Sequence, residues 1–266
     1  MEWLKGPDLS FFNPDNPFEN DIRHLPNKHE IVTKFVDLDY LKTVNLRKCR
    51  LSYLPVFKSK QIESLDLSCN NLSVFPEWIL DLKNLKYLNL GSNFFEHLPN
   101  LENLPLETLK LHKNKFSYLQ IPKTIKCLNL YLNNFLDIPD ITHLKDLEFF
   151  SFGVTKITRL PDWICDFKNL KWLSLVVNDI EYLPENFCNL QNLIGLRLAK
   201  NKLKKLPNNI GLCKSLKEIT LYSNCISCLP DSFYQLDLEK LNLSKNYLID
   251  KNKIINKFSN INFFSC

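Results

Sequence analysis

One pattern recurs ten times along this chain and restricts it to very few folds. It reads L-x-x-L-x-L-x-x-N-x-L-x-x-L-P, with first positions at Leu41, Ile62, Leu85, Leu106, Ile125, Leu147, Leu170, Leu193, Leu216 and Leu238. Successive copies are 21, 23, 21, 19, 22, 23, 23, 23 and 22 residues apart. The clearest copy is LKWLSLVVNDIEYLPENFCNLQN, from Leu170 to Asn192. A period in this range marks a repeat architecture, whose units bury their apolar faces only by stacking on one another.

Spacing assigns a direction to each position. In L-x-x-L-x-L, positions 4 and 6 fall on one side of a short strand, facing a continuous core. Positions 2, 3, 5, 7 and 8 are left for the other side. Position 9 is Asn in eight copies: Asn70, Asn93, Asn114, Asn133, Asn178, Asn201, Asn224 and Asn246; Cys49 and Thr155 replace it in the first and sixth. A primary amide both donates and accepts, so a stack of them satisfies main-chain groups of adjacent turns that would otherwise be buried unpaired. Proline at position 15 (Pro76, Pro161, Pro184 and Pro230 among others) prevents the strand from continuing. Apolar pairs three apart then follow, such as Ile79 and Leu82 or Phe187 and Leu190. They predict a helical or 3-10 turn on the return path. The 19-residue copy at Leu106 has little room for one.

On these motifs the chain resembles the leucine-rich-repeat family from Leu41 to its C-terminus. The 23-residue copies, with LP followed by an apolar residue, are similar to the intracellular Ras-group subclass. The resemblance implies an α/β leucine-rich-repeat solenoid, a curved horseshoe. Its parallel β-sheet lines the concave face, and short helical, 3-10 or extended segments lie on the convex face. It implies a non-catalytic scaffold or adaptor that binds a protein partner through the concave sheet, with a small GTPase or a phosphatase as candidates.

Residues 1–40 read as an N-terminal cap, with Trp3, Phe11, Phe12 and Phe18 as core-seeking side chains and a degenerate coil at Asn20–Pro26. Residues 41–249 hold the ten repeats. Residues 250–266 read as a C-terminal cap: Ile254, Ile255 and Phe258 suggest a last helical turn, and Ile261, Phe264 and Cys266 a partial eleventh strand. Fraying, rather than pairing with a second copy, is expected at that edge, so a monomer is expected.

The outward positions separate into two kinds. Position 2 is an alternating ladder, Lys42, Glu63, Lys86, Glu107, Lys126, Glu148, Lys171, Ile194, Lys217 and Glu239. Its cross-strand pairs help hold register. In the fifth to eighth repeats, however, the outward positions hold Tyr131, Leu132, Phe149, Val154, Trp172, Val176, Val177 and Ile194, with Arg197 nearby. A solvated face does not normally gather so many apolar side chains, and contiguous exposed apolar area marks an interaction site. Tryptophan, tyrosine and arginine are the residues that dominate binding hot spots. These nine residues are the expected partner-binding site, with Phe149 and Trp172 touching at position 3.

Composition narrows the remaining classes. The net charge of +5 is spread without a basic block, which disfavours nucleic acid as the ligand. No apolar run approaches membrane-spanning or signal-peptide length, so a cytoplasmic protein with no membrane partner is expected. The nine cysteines then read as free thiols. Cys225 and Cys228 form a C-x-x-C without a second pair at metal-ligand spacing. The histidines, His24, His29, His97, His112 and His143, are scattered, and no glycine-rich phosphate loop is present. No cofactor, metal site or catalytic constellation is expected. His112 with Lys110 and Lys113 reads as a solvated basic spot. The alternative function is a substrate-recognition subunit of a ubiquitin ligase, on a faint F-box likeness in LPNKHEIVTKFVDLDYL, Leu25 to Leu41.

Overall fold

The structure is a computed structural model that describes residues 39–261 and 263–265. The expected N-terminal cap, the degenerate coil and nearly all of the F-box-like stretch lie outside the described residues, as does Cys266. The chain divides into two compact units between Cys127 and Leu128.

Each copy of the repeat forms one three-residue strand at its positions 3 to 5. The first unit contains β1 (Thr43–Asn45), β2 (Ser64–Asp66), β3 (Tyr87–Asn89) and β4 (Thr108–Lys110). They pair in parallel and in register, Val44 opposite Leu65, Leu65 opposite Leu88, and Leu88 opposite Leu109. Strand β5 (Cys127–Asn129) lies at the division. The second unit contains β6 (Phe149–Ser151), β7 (Trp172–Ser174), β8 (Gly195–Arg197), β9 (Glu218–Thr220), β10 (Lys240–Asn242) and β11 (Phe263–Ser265). These also run parallel, with Phe150, Leu173, Leu196, Ile219, Leu241 and Phe264 in one row. Stacked coils with a parallel sheet make this an α/β solenoid. The constant register follows from burial: a one-residue slip would turn every core leucine outward.

The core is made of the repeated apolar positions. Leu85, Leu88, Leu90, Leu170, Leu175, Leu193 and Leu198 are all 0% exposed. After the position-15 prolines the chain makes short 3-10 turns, Glu77–Asp81 in the first unit and Asp162–Asp166, Glu185–Asn189 and Asp231–Gln235 in the second. Proline carbonyls open them: Pro76 and Pro184 accept from the N–H groups of Ile79 and Phe187, each at 3.0 Å. The turns place Ile79, Ile164 with Cys165, Phe187 and Phe233 into the core. The short copy at Leu106 makes only turns before β5. Helix α1 (Lys251–Phe258) precedes β11 and buries Ile254 and Phe258, the latter's ring lying 5.6 Å from that of Phe233.

The asparagines hold neighbouring coils together. Asn201 Oδ1 accepts from Ile180 N–H of the preceding coil at 3.1 Å, while its Nδ2 donates to the carbonyls of Leu175 and Leu198 at 2.9 and 3.0 Å. Asn70, Asn93, Asn114, Asn224 and Asn246 repeat this pattern. Where Thr155 replaces asparagine, its hydroxyl and N–H both donate to Asn178 Oδ1, at 2.6 and 3.2 Å.

Candidate functional site

The outward face of the second unit carries the nine residues singled out above, and the structure sorts them into rows. Tyr131 and Val176 stand at position 7, Leu132, Val154 and Val177 at position 8, Phe149 and Trp172 at position 3, Ile194 at position 2 and Arg197 at position 5. Leu132 is 37% exposed, and Tyr131, Val154, Trp172, Val176, Val177, Ile194 and Arg197 are part-exposed. Phe149 is a correction: at 1% exposure it is sealed within the sheet and offers nothing to a partner. Its partner in register is Trp172, but the indole reaches the other way, across Gly195 of β8. A Cβ on Gly195 would meet two indole carbons at 2.1 Å, so glycine is required there for the ring to lie against the strand. The Arg197 guanidinium sits 5.8 Å from the centre of the Trp172 ring, a cation–π contact. Burial lowers the pKa of that guanidinium while Glu218 opposes the shift; it remains a cation at neutral pH.

Two residues of this face were missed in the sequence. Ala199 and Tyr222 continue the position-7 row beyond Val176, and both are part-exposed. Counting position 7 in the eighth and ninth repeats, as in the seventh, would have found them. Lys245 lies 5.3 Å over the Tyr222 ring.

The backbone at position 8 has a feature that periodicity does not reveal. All ten coils put this residue in the left-handed region, with φ between 56° and 62°. The conformation lets its N–H reach the next coil: Leu132 N–H donates to Gly153 O at 3.0 Å, Val177 N–H to Ala199 O at 2.9 Å and Lys200 N–H to Tyr222 O at 2.7 Å. Seven coils place Lys, Ser or Cys there (Lys48, Cys69, Ser92, Lys113, Lys200, Ser223 and Lys245). Three neighbouring coils use Leu132, Val154 and Val177 instead. A left-handed L-residue costs about 1–2 kcal/mol, and β-branching makes the position still less favourable. Val154 and Val177 are therefore apolar residues kept where the backbone opposes them.

The first unit's outward face is polar. Asp66 accepts from Asn89 Nδ2 at 3.0 Å and from Ser68 N–H at 2.8 Å. Lys110 Nζ donates to the Tyr87 hydroxyl at 3.2 Å and lies 5.0 Å over the same ring. Burial, then Asp66, raise the Tyr87 phenol pKa, so it stays neutral; burial lowers that of Lys110. The imidazole of His112 covers Gly91, where a Cβ would approach it to 2.1 Å. Burial, followed by the charges of Lys110, Lys113 and Arg47, pushes its pKa down to about 4. Of the expected solvated basic spot only Lys113 is exposed; His112 is packed and neutral, and Lys110 is bound to Tyr87.

Other chemistry is sparse among the described residues. No group of three or more His, Cys, Asp or Glu side chains is arranged to hold a metal ion, and no helix is long and apolar enough to cross a membrane. Among the described residues Cys69, Cys165, Cys188, Cys213, Cys225 and Cys228 are free thiols. Cys165 and Cys213 are buried, which pushes each thiol up to about 12 and leaves it protonated and unreactive. Cys225 and Cys228 are exposed. The charge ladder closes in part, with Lys42–Glu63 at 3.5 Å, Lys126–Glu107 at 2.9 Å and Lys171–Glu148 at 2.7 Å; Lys217 turns to Asp237 instead.

A family profile described as a leucine-rich repeat region matches residues 107–245, and a second, leucine rich repeat, matches residues 39–95. A leucine-rich-repeat protein of Leptospira interrogans superposes with a TM-score of 0.78 at 32% identity, covering 85% of this chain and 61% of that one. The plant peptide hormone receptor RGFR1, in complex with RGF2, gives 0.62 at 29% identity, covering 77% of this chain and 35% of the receptor. Adenylate cyclase of Schizosaccharomyces pombe is 32% identical over 104 residues, 38% of this chain. That stretch is 6% of the cyclase, so the chain spans a small fraction of that relative's length.

Proposed function

The chain belongs to the leucine-rich-repeat family, and on that premise we propose that it is a protein-interaction module whose partner docks on the outward sheet face of the second unit. Repeats of this family are generally non-catalytic and present a variable face on a constant core. One observation carries the choice of face: Tyr131, Leu132, Val154, Trp172, Val176 and Val177 form part-exposed apolar rows at positions where most of the first four coils place Lys, Arg, His, Ser or Thr. Support also comes from RGFR1, a peptide hormone receptor structurally similar to this chain whose structure contains RGF2. Trp172 is the expected anchor, because Gly195 beneath it and Arg197 beside it hold the indole in one orientation. An adaptor for a small GTPase or a phosphatase is the finer form of this reading, and rests only on the Ras-group-like spacing.

Quantitative co-purification with the full chain tests the face. Wild type is compared with Trp172→Ala and with Asn189→Ala, an exposed residue of the Glu185–Asn189 turn on the return path. Recovery of the specific partner is expected to fall more than tenfold with Trp172→Ala and to hold with Asn189→Ala. Equal recovery on both variants would remove the face assignment.

A further inference from the structure

We propose that the element seated on this face is an amphipathic α-helix with an acidic flank, lying across the coils along positions 7 and 8. This rests on the reading of the second unit's outward face as the binding surface and specifies what binds there. Three observations lead to it.

The first is the extent of the strip. Position 7 runs Tyr131, Gly153, Val176, Ala199 and Tyr222, and position 8 runs Leu132, Val154 and Val177 before turning to Lys200. Five coils give four steps of about 4.8 Å, or about 19 Å in all. That is the length of roughly 13 helical residues at 1.5 Å each. The Tyr131 ring and the Val176 carbonyl fill the space above Gly153, so the low point of the row is at Ala199, between Val176 and Tyr222.

The second is pitch. Along a helix, one apolar stripe presents a side chain about every 5.4 Å. Along an extended segment, side chains on one face recur about every 6.7 Å. Against coils spaced at about 4.8 Å, four steps accumulate a slip of about 2.4 Å for the helix and about 7.6 Å for the extended segment. The second slip exceeds a whole repeat of the strand pattern, so an extended chain cannot place a side chain in each coil. A helix can.

The third is strain with charge beside it. Val154 and Val177 hold β-branched side chains at φ 62° and 58°. Other coils accept lysine in the same conformation at Lys48, Lys113, Lys200 and Lys245. The apolar choice therefore works against local backbone stability, and strain of this kind is kept where a surface has a use for it. Around the strip the cations outnumber the anions: Lys156 and Lys200 are exposed, Lys202 pairs with Asp179 at 3.0 Å, and Arg197 has Glu218 beside it. A helix carrying Asp or Glu along one edge of its apolar stripe matches that rim.

The test is selection of peptides from a display library of random 16-residue sequences on the full chain, scored against the double variant Val154→Lys/Val177→Lys. The variant places at both sites a residue that other coils tolerate, and its melting temperature is expected to stay level or rise by a few degrees. Enriched peptides are expected to repeat apolar residues at three- and four-residue intervals, to carry Asp or Glu on one flank, and to bind the variant at least tenfold more weakly. Enriched peptides with strict alternation that still lose the variant would overturn the helix and leave the face assignment standing. Peptides that bind wild type and variant equally would overturn both.

Discussion

The outward faces of the two units are built on the same coil and do opposite things. In residues 39–127 the face is polar: Asn89 donates to Asp66, Lys110 donates to Tyr87, and His112 is pressed onto Gly91 with its Nδ1 buried and unpaired among the described residues. In residues 128–245 the corresponding positions hold Trp172, Val154, Val176 and Val177, part-exposed, with Arg197, Glu218, Asp179 and lysines around them. Both faces use the same device of a ring laid over a glycine, His112 on Gly91 and Trp172 on Gly195. In the first case the ring is packed down beside polar neighbours. In the second it presents an indole surface to solvent. The face of a coil is thus free to be self-sufficient or open to a partner because the coil's stability comes from elsewhere.

The comparison breaks most sharply at that shared source of stability. If the asparagine ladder supports both units alike, Asn114→Ala and Asn178→Ala should be equally damaging. Each removes hydrogen bonds to buried main-chain groups of two coils, Asn178 to Phe152 O, Leu175 O and Thr155 N–H. A loss of about 3 kcal/mol is expected for either, read from urea midpoints. A large effect in one unit and none in the other would mean that the two stacks are held by different interactions.

A smaller effect should belong to the first unit alone. His112 has its folded pKa pulled down to about 4, below the ordinary value of about 6.5. A lowered folded pKa means that the unfolded chain takes up the proton first. The stabilising contribution is therefore complete above about pH 6.5 and is lost as pH falls toward 4. Allowing for partial solvent screening, about 2 kcal/mol should disappear over that window. His112→Gln should flatten the pH dependence of stability between those values, whereas Trp172→Ala should leave its slope unchanged. An unaltered slope in His112→Gln would show that the imidazole is not held neutral by its surroundings.

The smallest effect concerns the ladder at the edge of both faces. Lys171–Glu148 and Lys126–Glu107 are close pairs with substantially exposed side chains. Lys171→Ala is expected to cost only about 0.2–1 kcal/mol. Raising the salt to 1 M should cut the difference between it and wild type. A larger, salt-independent loss would give the pair a structural role in the second unit beyond register.

Much of this was legible in the residue order. The core leucines, the asparagine ladder, the parallel strands and the 3-10 turns after proline all follow from a period that leaves each side chain one possible direction. The rows of the face could be counted too, although Ala199 and Tyr222 were missed. What counting could not show was exposure along those rows. Phe149 occupies an outward position but is sealed at 1% exposure, and Lys110 with His112 is packed rather than solvated.

The sequence by itself determined the coil, because a repeated pattern of apolar and amide positions has one arrangement that buries the first and satisfies the second. Only the tertiary structure decided which outward side chains stay exposed. That depends on how far each ring reaches across its neighbour, which the glycines at 91 and 195 permit. It depends as well on the left-handed turn at position 8, where the backbone conformation makes valine an unfavourable choice and so distinguishes Val154 and Val177 from ordinary surface residues.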